Sequence, residues 1–248
     1  MGTLTLTALP VDERGRLALQ EAIWHNTIRK KPHDWDAYLR LAQTQREQGR
    51  VPEALNALRE ALRRKPDYPD ALCELGLCLL QSSAGKDAEK ALRQALNLEP
   101  KHPGAHYGLG QLLLSRGDMP GAEREFQVAL AAAPEWVDVH ISLGNTLARR
   151  GATPAAIVHF KRVTELRPEI PEAHNNLATA LFSLGKHVAA ATSYRQALQL
   201  RPDYFNARFN LGRAMIADGQ ASAGRAELLK AAKLRPNDPA VKAALDGK

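Results

Sequence analysis

Residues 171–204 read PEAHNNLATALFSLGKHVAAATSYRQALQLRPDY, and this stretch decides the fold. Leu177 and Ala178 precede Gly185, Ala190, Tyr194 and Ala197 follow it, and Pro202 closes the run. Each half carries apolar residues at helical spacing, and glycine between them relieves a tight turn between two antiparallel helices. Proline then ends the second helix, because the residue before it is pushed out of the α region.

Working outward, the closing proline recurs at Pro32, Pro66, Pro100, Pro134, Pro168, Pro202 and Pro236, a step of 34 residues without one insertion. Missing such a period would misread the whole chain. Other columns keep the register. Leu41, Leu75, Leu109, Leu143, Leu177 and Leu211 form one, and each is followed by a small residue: Ala42, Gly76, Gly110, Gly144, Ala178 or Gly212. Ala54, Ala88, Ala122, Ala156, Ala190 and Gly224 form a second small column. Ala61, Ala95, Ala129, Val163, Ala197 and Ala231 form a third. Between these two stands a large residue: Leu58, Leu92, Phe126, Phe160, Tyr194 or Leu228. Small residues let helix backbones approach closely, and the large one fills the space beside them.

The 34-residue pattern of Leu with a small neighbour, Gly, Ala, Tyr or Phe, Ala and Pro resembles the tetratricopeptide repeat over residues 35 to 236. Ser83 in place of Gly, Val163 in place of Ala and Gly224 in place of Ala are the departures. The resemblance implies an all-α fold, a right-handed α-solenoid of six helix-turn-helix repeats at 35–68, 69–102, 103–136, 137–170, 171–204 and 205–238. Residues 12–34 read as a degenerate N-terminal capping repeat and 239–248 as a C-terminal capping helix, since an open stack must cover its end faces. Residues 1–11 alternate apolar and polar and are expected to be an extended or disordered arm. A sharper reading lays that arm in its own groove, or in a second copy's, which would make a homo-oligomer.

Composition agrees. With 44% hydrophobic, 25% charged and only 5% aromatic residues among 248, the chain is rich in helix formers, and its composition argues against an all-β fold. No run approaches the apolar length of a membrane-spanning helix, and no basic leader with an apolar core opens the chain. The expected location is cytoplasmic, without membrane insertion. Cys73 and Cys78 have no metal-ligand spacing and read as small reduced core or groove residues.

Chemistry is looked for where a repeat pattern is broken, and no nucleophile elbow, zinc-binding helix or phosphate loop breaks it. No enzyme, cofactor or metal is expected. His106, His140 and His174 share one register in three successive units, too far apart for one ion at ligand distances of roughly 2.0 to 2.1 Å. They read as packing histidines. The formal charge of +7 is accounted for by the last turns before the prolines, where ten basic groups face only Glu99 and Glu165. Cations are favoured at helix C-termini, so nucleic acid ranks below protein as a partner.

In the family that the chain resembles, the first helices of successive repeats line a concave surface that binds peptides or partner helices. Carried over, that surface begins with Asp36, Leu39, Arg40, Gln43 and Glu47, followed by Asp70, Cys73, Glu74, Leu77 and Leu80. It continues through Tyr107, Gln111, Leu114 and Ile141, and is amide-rich at Asn145, Asn175, Asn176, Thr179 and Asn210, beside Phe182, Phe209 and Arg213. The basic members of a carboxylate clamp are replaced by Ile141, Asn206 and Asn210. A neutral or mildly charged peptide segment is therefore the expected ligand, and a protein-interaction scaffold the expected role. An accessory that presents substrate to a glycosyltransferase or serves a secretion machine is the alternative.

Overall fold

The structure is a computed structural model, and it describes residues 12–246. Among these there are fourteen α-helices and no strand. The helices fall into two compact units, divided between Asp118 and Met119.

The first unit holds α1 (Glu13–Lys30), α2 (Trp35–Glu47), α3 (Val51–Arg64), α4 (Pro69–Gln81), α5 (Gly85–Leu98) and α6 (Pro103–Ser115). The second holds α7 (Met119–Ala132), α8 (Val137–Arg149), α9 (Thr153–Leu166), α10 (Pro171–Ser183), α11 (His187–Leu200), α12 (Phe205–Ala217), α13 (Ala221–Leu234) and α14 (Pro239–Leu245). Within each unit, every helix packs against the next. From α2 onward the even-numbered helices begin at Trp35, Pro69, Pro103, Val137, Pro171, Phe205 and Pro239, a constant step of 34 residues. Proline at the first position costs nothing there, because the first-turn N–H groups have no intrahelical acceptor.

The glycine between paired helices works as its backbone chemistry demands. At Gly151 φ is +80°, the Gly151 N–H donates to the Ala148 carbonyl at 3.0 Å, and the Ala152 N–H reaches back to Leu147 at 2.9 Å. This left-handed cap satisfies carbonyls that the helix end would leave open. Ser83 takes the same conformation, with φ +60°, although it carries a side chain.

The small and large columns meet in the core. A Cβ added to Gly76 would lie 2.5 Å from Leu92 Cγ, one on Gly144 2.7 Å from Phe160 Cε1, and one on Gly212 2.8 Å from Leu228 Cγ. Leu58, Leu92, Phe126, Tyr194 and Leu228 are almost wholly buried. Gly224 is explained too: a Cβ there would come within 2.6 Å of the Gly212 carbonyl oxygen, so α12 and α13 lie too close for the alanine of the other units.

Both described ends are capped. Asp12 opens α1 by accepting from the Gly15 N–H at 2.7 Å, and Trp24 and Ile28 pack onto the core of α2 and α3. Asp238 accepts from the Ala240 and Val241 N–H groups, and Val241 is buried against Phe205 and Ala231. The expected arm at residues 1–11 lies outside the described residues.

Candidate peptide-binding surface

In the first unit, α4 and α6 carry Leu77, Tyr107, Gln111 and Leu114, all partly exposed. Gln111 Nε2 donates to Tyr107 Oη at 2.8 Å, which fixes both side chains. Three residues expected on this face are instead buried. Leu39 and Cys73 belong to the hydrophobic cores, and Glu74 is 4% exposed and bound by Arg46. At this register position Leu39 and Cys73 pack inward, whereas Tyr107, Ile141 and Phe209 are partly exposed, so α2 and α4 leave less of their length to a ligand. Burial pushes the Cys78 thiol up to about 12 and Cys73 up as well, and neither is in a disulfide. These are packing residues, not nucleophiles.

In the second unit, α8 presents Ile141 and Asn145, α10 Asn175, Asn176, Thr179 and Phe182, and α12 Phe209, Asn210 and Arg213. Asn145, Asn175, Asn176 and Thr179 come together around one cavity of about 410 Å³, with Phe160 and Thr153 of α9 also lining it. Among the described residues, its lining holds no ionisable side chain. Beside it, the Arg213 guanidinium lies 5.3 Å from the Phe182 ring centre and 5.7 Å from that of Phe209. Rings on two helices thus hold one cation in place by cation–π attraction.

Asn175 is buried, 9% exposed. Thr179 Oγ1 donates to the Asn175 backbone carbonyl at 2.9 Å, and it lies 3.0 Å from Tyr194 Oη. With the threonine proton committed, the phenol is the donor to Thr179. Burial raises the Tyr194 pKa and keeps that proton on.

Thr153, Phe160, Ala148, Ala180 and Ser183, none of them expected in the site from the sequence, also line the cavity, and Asn175, expected on the surface, is buried. A signal was available: at 34-residue steps Asn175 aligns with Leu39, Cys73, Tyr107, Ile141 and Phe209, and is the one amide in an otherwise apolar or aromatic column.

The basic turns are engaged by the fold. Lys65 Nζ lies 3.9 Å from the Trp35 ring centre and 4.6 Å from that of Tyr68. Arg64 donates to the Pro32 carbonyl at 2.8 Å, Arg201 pairs with Glu172, and Arg235 stacks 4.2 Å from the Phe205 centre. The shared histidine column is equally structural. Nε2 of His106, His140 and His174 donates to the carbonyls of Pro100, Pro134 and Pro168 at 3.0, 2.9 and 2.8 Å. Arg208 serves Pro202 in the same way. Among the described residues no group of three or more His, Cys, Asp or Glu side chains is placed to hold a metal ion. No described helix is long and apolar enough to cross a membrane.

Two family models described as tetratricopeptide repeat match the chain, one at residues 79–143 and 181–246, the other at 13–69, 39–89 and 141–204. The chain belongs to the tetratricopeptide-repeat family. No curated protein matches it. Among solved structures, tetratricopeptide-repeat folds match over most of its length. PilF of Pseudomonas aeruginosa is 20% identical with a TM-score of 0.76, over 88% of this chain and 100% of that one. PilW, described as a widely conserved type IV pilus biogenesis factor, is 19% identical with a TM-score of 0.71, over 85% and 98%. YrrB, described as a TPR protein with an unusual peptide-binding site, is 21% identical with a TM-score of 0.55, over 74% and 95%. At these identities the likeness is one of fold.

Proposed function

We propose that this tetratricopeptide-repeat chain is a non-enzymatic interaction scaffold that docks an uncharged, extended segment of a partner protein on the α8, α10 and α12 faces of its second unit. The observation that carries the reading is the uncharged cavity of about 410 Å³ lined by Asn145, Asn175, Asn176 and Thr179, within the 300 to 1,000 Å³ range of ligand sites. Asparagine amides can satisfy both the N–H and the C=O of a peptide backbone without reading its sequence. Phe182, Phe209 and Arg213 supply apolar contact and one fixed cation, and Ile141 and Asn210 extend the surface. Leu77, Tyr107, Gln111 and Leu114 give the first unit a more apolar face for the same partner class. Six repeats between 35 and 238, with 12–34 and 239–248 as caps, are the organisation that this role uses, in the cytoplasm.

An accessory role beside a secretion or assembly machine is the second reading. It is favoured by the fold shared with PilF and PilW across 85% or more of this chain. Nucleic-acid binding ranks below both, since Lys65, Arg64, Arg201 and Arg235 are held by aromatic rings, carbonyls or carboxylates of their own unit.

The test is affinity capture with the wild-type chain and an Asn176→Ala, Asn210→Ala double variant, with captured proteins identified by mass spectrometry. Partners held by the wild type and lost by the variant, at equal melting temperature, are the expected result. Identical capture by both chains overturns the reading.

A further inference from the structure

The charge pattern of α12 differs from that of its counterparts. Of α2, α4, α6, α8, α10 and α12, it is the one that holds arginine without any Asp or Glu. Two columns change in the same direction to produce this. Position 206 is Asn where the matching positions hold Asp36, Asp70, Gly104, Asp138 and Glu172. Position 213 is Arg where they hold Gln43, Leu77, Gln111, Asn145 and Thr179.

The missing acid leaves a cation unbalanced. One step earlier, Glu172 pairs with Arg201. Arg235 is the equivalent of Arg201 and Asn206 the equivalent of Glu172, and both line one cavity of about 410 Å³. An amide bears no charge to balance a guanidinium. Asp203 also lines this cavity, yet it forms no ion pair with Arg235 among the described residues.

Aromatic rings hold both cations in place. Arg235 lies 4.2 Å from the Phe205 ring centre, and the Phe205 and Phe209 rings are parallel within 3°, their centres 6.1 Å apart. Arg213 lies 5.7 Å from the Phe209 centre and 5.3 Å from that of Phe182. Cation–π attraction leaves the N–H donors unspent. Neither Arg213 nor Arg235 joins a salt bridge or donates a side-chain hydrogen bond among the described residues. Side chains ordered in advance lower the entropy cost of binding.

We infer that α12 anchors acidic side chains of the docked segment, with Arg213 and Arg235 donating to Asp or Glu carboxylates in bidentate hydrogen bonds. The inference rests on the docking reading above and extends it: the uncharged stretch that crosses α8 and α10 continues into an acidic one at α12. With Glu172 on Arg201 and Asp203 at the rim, the local excess of positive charge is small. That suits a singly charged carboxylate better than a phosphoryl group of about two charges. A lysine of the segment would be repelled, and an amide would forgo the charge-assisted bond, roughly twice as strong as a neutral one.

The experiment uses the full chain, immobilised and panned with a random twelve-residue display library whose C-terminus is fused to the display protein, so that no free terminal carboxylate takes part. Selected peptides are expected to share Asp or Glu at a fixed place beside an uncharged stretch. In a synthetic, C-terminally amidated peptide from the selection, replacing that Glu by Gln is expected to weaken binding by about tenfold or more. Arg213 and Arg235 are exposed, so replacing them opens no core. The Arg213→Gln, Arg235→Gln double variant is expected to bind the Glu and Gln peptides alike at the wild-type melting temperature. The Arg213→Glu, Arg235→Glu variant is expected to prefer the same peptide with Lys at that place. Selected peptides with no acidic position, or a Gln double variant that keeps the full preference for Glu over Gln, overturn the inference and leave the docking reading intact. A twelve-nucleotide single-stranded DNA held more tightly than the selected peptides at the same salt overturns it in favour of phosphate. A library that yields no binder overturns the docking reading, and the inference falls with it.

Discussion

The Nδ1 atoms of His140 on α8 and His159 on α9 lie 3.0 Å apart, and the other nitrogen of His140 donates to the Pro134 carbonyl at 2.9 Å. These contacts fix the protons. His140 carries its hydrogen on Nε2, its Nδ1 is the acceptor, and His159 donates from Nδ1. A second proton on His140 would place two N–H groups face to face.

The pair predicts a pH dependence of stability. Burial, and then the His140 charge, hold the His159 pKa below the ordinary histidine value. Below that ordinary value, about 6.5, the unfolded chain binds a proton that the folded chain resists. Stability is therefore complete above this pH and is lost as pH falls from it through the depressed folded pKa. Urea midpoints are expected to fall between pH 7.5 and pH 5. His159→Ser, copying Ser193 at the same place in the next helix pair, should flatten the curve. An unaltered slope in the variant would show that the pair does not titrate on unfolding.

Gly144 is the clearest test of the packing. An added methyl would meet two atoms of the Phe160 ring, at 2.7 and 2.9 Å, and that ring is only 3% exposed. Gly144→Ala gains about 1 kcal/mol in helix propensity, but overpacking costs of about 1 to 3 kcal/mol oppose it. The net expectation is a lower melting temperature. An alanine variant that melts above the wild type would mean that α8 and α9 are not held at this separation.

Ser83 makes the opposite prediction. It holds the left-handed turn at φ +60°, where a side chain costs roughly 1 to 2 kcal/mol, and its neighbours close the same cap hydrogen bonds as at the glycine turns. Ser83→Gly removes that strain and loses part of the gain to the greater freedom of the unfolded chain. Denaturant titration should show a stabilisation of about 0.5 to 1 kcal/mol, and a destabilised glycine variant would refute the strain.

Fold and site were legible to different depths for a physical reason. Leu177, Gly185, Tyr194 and Pro202 each repeat because every helix pair must solve the same packing problem, so the period exposes helices, turns and core at once. A ligand surface is where units differ, and a period is silent about differences unless one column is read against its neighbours. Asn145, Asn176 and Thr179 are expected on the surface from their offset, yet only the contrast with Leu39 and Cys73 marks Asn175 as a buried position. Phe160 was read only as core, and its place in the cavity lining depends on α8, α9 and α10 meeting in space. The His140 pairing with His159 joins two columns that hold histidine together in this pair alone, so no period announces it.

The same contrast yields a final prediction about stability. Asn175 keeps a buried acceptor unsatisfied, which costs about 1 to 3 kcal/mol in an unliganded chain. Leucine, the residue at the matching position 39, is fully buried there among apolar neighbours. Asn175→Leu should therefore raise the unfolding free energy of the free protein by about 1 kcal/mol, after a share is lost to fitting the branched side chain. If the amide were held for packing, the leucine chain would be less stable. A chain that becomes more stable would show that Asn175 is retained at the expense of the fold.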